Sequence, residues 1–272
     1  MPSEMVMIDD LCSETDLPAL LEKVSIASAS EIRTAAINLS HIAEERGMRV
    51  ALCSDIASGK PMMDAEGNSL NADIFGWVKD RERWWEDARY ALHSPIPRAC
   101  RYESEPFWCD KDGFHGFSSN MFLEDIDLTA YFARVAKSYR ALLIVPVHLP
   151  FGQISANSFP VIDPDQTDLS AYFATHASVI SALTRRLISS YVSVMTRSKI
   201  IPIDCGLSKR EVECIRWASI GKTDQEIGAI MSVCRSTVRY HVSRASEKLG
   251  AVNRTQTVFK AAQLGYLGAS RW

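Results

Sequence analysis

Apolar and polar residues change their spacing along this chain, and the spacing predicts where helices and strands fall. Ile32, Ala35, Ala36, Leu39, Ile42 and Ala43 recur at helical core spacing, with Ser28 or Ser30 ahead of them as an N-cap. A short helix over 16–24 precedes them. Gly47 stops the longer one, and the apolar run 48–53 (MRVALC) then predicts a buried strand. Residues 57–73, rich in Gly, Asn, Ser and Pro, predict a loop. The aromatic and charged segment 75–92 predicts a helix over its second half, ended by Pro95 and Pro97. Asp112-Gly113 marks a hairpin. ALLIVPVHLP (141–150) and QISANSFPVI (153–162) predict a strand pair turning around Phe151, with Gly152 as the breaker. After the turn Asp163-Pro164-Asp165, an amphipathic helix spans 168–195, its core face set by Phe173, Ala177, Ile180, Thr184, Leu187, Tyr191 and Val194. Strands in the middle with helices around them predict an α/β domain, its sheet covered on both faces.

The last part of the chain follows a different pattern. Ser208-Lys209-Arg210-Glu211 and Thr223-Asp224-Gln225-Glu226 are capping boxes, and Asn253-Arg254-Thr255-Gln256 is a close variant. With Gly221 and Gly250 at C-terminal cap positions, they predict four helices at 208–220, 223–231, 235–249 and 254–264. Ile215, Trp217 and Ala218 supply core from the first, Ile227 and Ile230 from the second. In the third, Val238, Val242, Ala245 and Leu249 lie within about 60° of each other on a helix wheel. Its opposite face carries Ser236, Arg239, Tyr240, Ser243 and Arg244. A polar-faced helix after a helix and a tight turn is the layout of a DNA-reading helix-turn-helix. Residues 197–206, with Pro202, predict a linker between a first domain over 1–196 and a second over 207–272.

Charge strengthens that division. From Asp204 onward the chain has 11 Lys and Arg against 6 Asp and Glu, so this part is positive by 5 and the remainder negative by 8. An acidic domain joined to a basic one points to a polyanion-binding module; the stripe of the basic helix is needed for packing, which leaves little apolar surface for lipid. No run of about 18 apolar residues predicts a transmembrane helix, and the acidic N-terminus lacks a signal-peptide pattern, so a cytoplasmic protein without a membrane partner is expected. The seven cysteines (12, 53, 100, 109, 205, 214 and 234) have no C-x-x-C spacing and read as small buried residues. An enzyme is not expected, nor a metal or cofactor. Gly221-Lys222-Thr223 imitates the end of a P-loop, but the first glycine of that motif would fall on Arg216. His241, beside the stripe, reads as packing or a phosphate contact rather than an acid–base group.

Residues 207–258 resemble the LuxR/GerE-type helix-turn-helix that ends many bacterial transcription regulators. Leu207, Arg210, Glu211, Gly221, Glu226, Ile227, Thr237, Val238, His241, Lys248, Leu249, Asn253 and Arg254 carry the likeness. Where the family has a Ser capping the reading helix this chain has Cys234, a loss of typically about 1 kcal/mol. The resemblance implies double-stranded DNA as partner, a homodimer on a two-fold site, and RNA polymerase as a further partner. Ser236, Arg239, Tyr240, Ser243 and Arg244 are candidates for base edges or nearby phosphates; Lys222, Arg235, Thr237, Lys248 and Arg254, at helix ends and flanks, are candidates for phosphates. Val258, Ala261 and Ala262 form a small stripe in the last helix that suits either a dimer contact or the domain core.

Residues 75–160 resemble the autoinducer-binding domain of quorum-sensing regulators, most strongly at Pro95, at Pro106-Phe107-Trp108 and over LLIVPVHLPFGQISANSF. That likeness implies an α/β/α sandwich enclosing an acylated homoserine lactone. Tyr90 matches a family tyrosine, Trp108 falls within one residue of a pocket tryptophan, and Ser158 matches a strand Ser/Thr at the ligand head. Three positions depart. The family Asp that accepts the ligand amide falls on Ser94, its pocket Tyr on Trp85, and its pocket Trp on Arg81, with Trp77 and Trp84 nearby. A carboxylate makes a charge-assisted bond to an N–H that a Ser hydroxyl cannot match, and such mismatches alter ligand choice strongly. The expectation is a ligand-responsive LuxR-type regulator whose effector is an acyl-homoserine lactone or another small molecule. The alternative is a ligand-independent regulator whose first domain only dimerises or binds protein. Trp77, Trp84 and Trp85 fit a plain core as well as a pocket.

Overall fold

In the computed structural model, which describes residues 17–58, 60–77, 94–117, 119–196 and 205–268, the middle of the chain builds an antiparallel sheet. Its strands are β1 (Phe107–Asp110), β2 (Gly113–His115), β3 (Leu142–His148) and β4 (Ile154–Pro160), in the order β2-β1-β3-β4. The turn Lys111-Asp112 joins β1 to β2, and Asp110 Oδ1 accepts the backbone N–H groups of Asp112 and Gly113 at 2.8 and 3.1 Å. Register places Phe107, Ile144 and Ser158 side by side on one face, and Trp108, Leu143 and Phe159 on the other.

The strand predicted at 48–53 runs along β4 as the isolated bridges Met48↔Val161 and Ala51↔Ser158, with a further backbone bond from Ala156 N–H to the Cys53 carbonyl at 3.1 Å. Asn71 then bonds both outward groups of Leu52, accepting from its N–H at 2.9 Å and donating to its carbonyl at 2.8 Å. A buried side chain thus closes this edge of the sheet.

The helices of this domain are α1 (Leu17–Lys23), α2 (Ile32–Glu44), α3 (Pro95–Tyr102), α4 (Thr129–Val135) and α5 (Ser170–Thr196). Pro95 and Pro97 open α3, because proline at the first helical positions needs no N–H partner; the helix expected ahead of them, over the second half of 75–92, lies outside the described residues. The helix α4 was not foreseen, and the predicted loop 57–73 runs into a π-helical turn at Leu70–Ile74. One core joins Ile32, Ala36 and Leu39 of α2 to Leu142–Val145 of β3 and to Ile180, Leu183 and Leu187 of α5.

The chain divides into two compact units, the first ending at Met195 and the second continuing from Thr196. The second contains α6 (Lys209–Ser219), α7 (Asp224–Met231), α8 (Arg235–Lys248) and α9 (Arg254–Gln263). Both capping boxes are closed: Ser208 N–H donates to Glu211 Oε2 at 2.7 Å, and Thr223 N–H to Glu226 Oε2 at 2.8 Å. Asn253 caps α9 through Gln256 N–H at 2.8 Å, but the Gln256 side chain accepts from Val252 instead of the cap itself. Ile230 is 45% exposed rather than core; Met231, one residue on, packs beside Ile227. Between α7 and α8 the chain turns at Ser232 in left-handed conformation (φ 54°), and a Cβ on Gly228 would lie 2.7 Å from the Val233 carbonyl oxygen. Only glycine allows that approach. Among the cysteines, Cys53, Cys100, Cys109 and Cys214 are buried as expected, whereas Cys234 is exposed; Cys12 lies outside the described residues.

Candidate nucleic-acid interface and effector site

Helix α8 separates its two faces cleanly. Val238, Val242 and Ala245 are buried, with Leu249 just beyond the end, while Ser236, Arg239, Tyr240, Ser243 and Arg244 are exposed. Tyr240 is 61% exposed. Arg244 donates to Glu247 at 2.7 Å, which tilts its charge toward the end of the helix. Arg235 and Arg239 have no carboxylate partner among the described residues, so their charge is available to an external anion. His241 is half-buried, its ring 5.5 Å from that of Tyr240.

The flanking cations divide by environment. Lys222, Arg235 and Arg254 line a concavity of about 550 Å³ with Thr223 and Asp224. Within it Arg254 pairs with Asp224 and donates to the Lys222 carbonyl at 2.8 Å, bracing the start of α9 against the start of α7. Lys222 lies 3.6 Å from Glu226. Lys248 is turned inward, donating to Glu211 Oε2 at 2.8 Å and to the Gly206 carbonyl at 3.1 Å. Lys248 and Arg254, expected from the sequence as phosphate contacts, both make structural bonds within the domain. A shared family pattern does not reveal this, because a lysine that holds a fold and one that holds DNA look alike in sequence. Burial alone would raise the Glu211 carboxyl pKa, but Lys248 and the Ser208 backbone together hold it below the usual range.

Cys234 occupies the N-cap position of α8 without a side-chain cap bond. Its sulfur instead lies 3.0 Å from Ser236 Oγ and 2.9 Å from Thr237 Oγ1, and these hydroxyls pull the thiol down to about 7. The small stripe of α9 splits: Ala261 is buried in the domain core, Val258 packs against it, and Ala262 is exposed.

Of the candidate effector residues, Trp84, Trp85 and Tyr90 lie outside the described residues, as does Arg81. Trp77 is a core residue. Its indole N–H donates to the Val50 carbonyl at 2.6 Å, and the Arg49 guanidinium stands 3.7 Å over its ring. Ser94 is 5% exposed, and its hydroxyl makes no hydrogen bond among the described residues. Its helix α3 is tied to β3 by a 2.8 Å contact between His148 Nε2 and the Cys100 carbonyl, and His148 shares the sheet face of Ser158. Trp108 does not join them. It points from the opposite face, stacked 4.1 Å from His115, while Phe107 and Cys109 share the face of Ser158. The one-residue offset in the Trp108 match was the available signal, because one residue along a strand reverses the side-chain direction.

Among the described residues no cluster of His, Cys, Asp or Glu is arranged to hold a metal ion, and no helix is long and apolar enough to cross a membrane. Residues 206–261 match the model of bacterial regulatory proteins of the luxR family. The transcriptional activator PhzR of Pseudomonas fluorescens is 29% identical over 192 residues, covering 68% of this chain and 72% of PhzR. The quorum sensing-dependent transcriptional regulator RpaR of Rhodopseudomonas palustris is 29% identical over 196 residues, covering 71% and 73%. The fold resembles that of Escherichia coli SdiA, with a TM-score of 0.51 at 16% identity over 93% of this chain and 98% of SdiA. SdiA in complex with octanoyl-rac-glycerol gives 0.52 at 15% identity over 97% and 100%. The α/β domain with its antiparallel sheet, the helix-turn-helix and these relatives agree: residues 206–261 form a helix-turn-helix domain of the luxR family, and the longer chain is similar to LuxR-type transcription regulators.

Proposed function

We propose that the protein acts as a homodimer in the bacterial cytoplasm, laying α8 of each copy in the major groove of a two-fold operator under the control of a small-molecule effector. The exposed face of α8, with Arg239 free of any acidic partner among the described residues, carries this reading. Ser236, Arg239, Tyr240 and Ser243 meet base edges; Lys222, Arg235, Thr237 and Arg244 meet phosphates. Two copies are needed because one such helix buries too little DNA for useful affinity. RNA polymerase is the further partner if the output is activation. Arg239→Ala is expected to weaken binding to DNA selected from a random library by about 1–3 kcal/mol, with the circular dichroism spectrum unchanged. Equal anisotropy titrations for variant and parent would refute the assignment of this face.

The effector reading rests on Ser94 and Ser158, whose elements serve one face of the sheet. A carboxylate only accepts, whereas the Ser94 hydroxyl also donates, which suits a ligand presenting an acceptor such as an ester carbonyl. SdiA, a structural neighbour, holds octanoyl-rac-glycerol, an acyl ester without an amide N–H. The proposed effector is accordingly an acylated small molecule with preference shifted away from acyl-homoserine lactones. Calorimetry of both ligand types tests it. Ser94→Asp should improve lactone affinity by roughly 10–100-fold, and tight lactone binding by the parent protein would sink the idea.

A further inference from the structure

A cavity of about 460 Å³ lies in the α/β domain between α4 and the turn that joins β1 to β2. Of the described effector candidates, Trp77, Ser94, Trp108 and Ser158, none lines it. One wall is a single stripe of α4: Thr129, Phe132 and Ala133, with Ala136 just past the helix end, follow at i, i+3, i+4 and i+7. Phe132 is 4% exposed and the two alanines are exposed, so an aromatic floor with small residues beside it makes this wall apolar.

The facing wall is charged. The β1–β3 register sets Cys109 against Leu142, so Lys111, two residues on, stands opposite Arg140, and both line the cavity. Two cations at directly opposed positions repel each other. Neither is held by a buried partner. Lys111 lies 2.6 Å from Asp112, but both side chains are about two-thirds exposed, at 69% and 68%, and water weakens such a pair. Arg140 has Asp165 at 3.7 Å, beyond hydrogen-bonding distance, and its guanidinium donates no hydrogen bond among the described residues. Asp110 also lines the cavity, but its Oδ1 is committed to the N–H groups of Asp112 and Gly113 and lies 3.3 Å from His115 Nε2.

An unfilled guanidinium fork and a second cation, set across from an apolar wall, define a ligand with one anionic and one apolar end. We infer that this cavity is a second small-molecule site of the α/β domain, taking an apolar carboxylic acid in its ionised form. The carboxylate accepts two N–H groups of Arg140 at once and a third from Lys111, which also relieves the repulsion between the two cations. The apolar body lies along Phe132, Ala133 and Ala136, and the cavity volume is that of a small-molecule site. Asp112 and Asp165 give way to this ligand because its body excludes the water that screens their own exposed pairs. An amine fits less well, since Asp110 is committed to its turn and Asp112 is open to solvent.

Calorimetry of the full chain with 2-naphthylacetate tests the site, using 2-naphthylacetamide as its neutral counterpart and 2-naphthylmethylamine as its cationic one. The acid should bind with a Kd of about 1 mM or tighter, and at least about 10-fold more tightly than the amide or the amine. Arg140→Gln removes the fork and Ala133→Leu fills the cavity; both positions are exposed, so the circular dichroism spectrum should not change. Each substitution should weaken binding of the acid by at least about 10-fold. No binding at millimolar concentration, an affinity unchanged in either variant, or an amide or amine that binds as well as the acid overturns the site. Because the effector candidates lie elsewhere, none of these outcomes bears on the effector reading.

Discussion

The side chains that begin the helices of the helical domain act within a turn of their own position, whereas several polar side chains of the α/β domain reach across the chain. Ser208, Thr223 and Asn253 each cap a helix through the residue three places on. In the α/β domain, the Tyr191 hydroxyl bonds the Met63 backbone across 128 residues, Ser155 donates to Cys53 across 102, and Asn71 holds Leu52 across 19. The first kind of bond sets where a helix begins. The second closes loops that a flexible chain would otherwise leave open, so its worth depends on everything between its ends being folded. In the helical domain one cap can therefore be lost, as at Cys234, without losing the layout. Loss of a long-range bond in the α/β domain is expected to cost more.

The largest effect that would test this contrast is at Asn71. Asn71→Ala leaves the Leu52 N–H and carbonyl buried without partners, and calorimetry should show the α/β domain destabilised by about 2–4 kcal/mol. A loss no larger than that of a helix cap would break the comparison. Next comes Gly228→Ala, where the added methyl meets the Val233 carbonyl at 2.7 Å. The turn into α8 must shift, at a cost of about 1–3 kcal/mol read as a lower melting temperature of the helical domain, with DNA affinity falling alongside.

Glu211 is a smaller and pH-dependent case. Its carboxyl titrates lower in the folded domain than in the unfolded chain, despite burial, because Lys248 and Ser208 hold the charged form. Its contribution is fully present above the ordinary glutamate value of about 4.3 and is lost as pH falls below it. Melting curves should show this acid sensitivity, and Glu211→Gln should flatten part of it while lowering neutral-pH stability by about 1–2 kcal/mol. A variant with the parent's pH profile would show that the pair does not act this way.

The smallest expected change is a gain. Cys234→Ser replaces a sulfur that makes no cap bond by a hydroxyl that can, and should stabilise the helical domain by roughly 0.5–1 kcal/mol. In the parent, alkylation of this exposed thiol should rise with pH around a midpoint of about 7.

Legibility followed the same division. The four helices of the second domain lay within a residue or two of their predicted bounds, because the capping boxes and periodicity act locally. The α5 helix and the β3–β4 hairpin were equally readable from their long apolar patterns. The helix α3 was not read from the sequence, since proline at 95 and 97 marks the end of one helix and the start of another with the same ring. Ile230 misled because Ile227 and Met231, four residues apart, already complete the buried face.

The sequence by itself determined the kinds of element, the two-part character of the chain, and the polar face of α8, since each depends on spacing of a few residues along one helix or strand. Only the tertiary structure decided which cations remain available and which aromatic shares a face with Ser158. Lys248 has the charge of a DNA contact, but Glu211, 37 positions earlier, takes it inward. Trp108 has the chemistry of a pocket wall, but the β1–β3 register turns it away. Both outcomes depend on partners far along the chain, and no local pattern records where those partners will be.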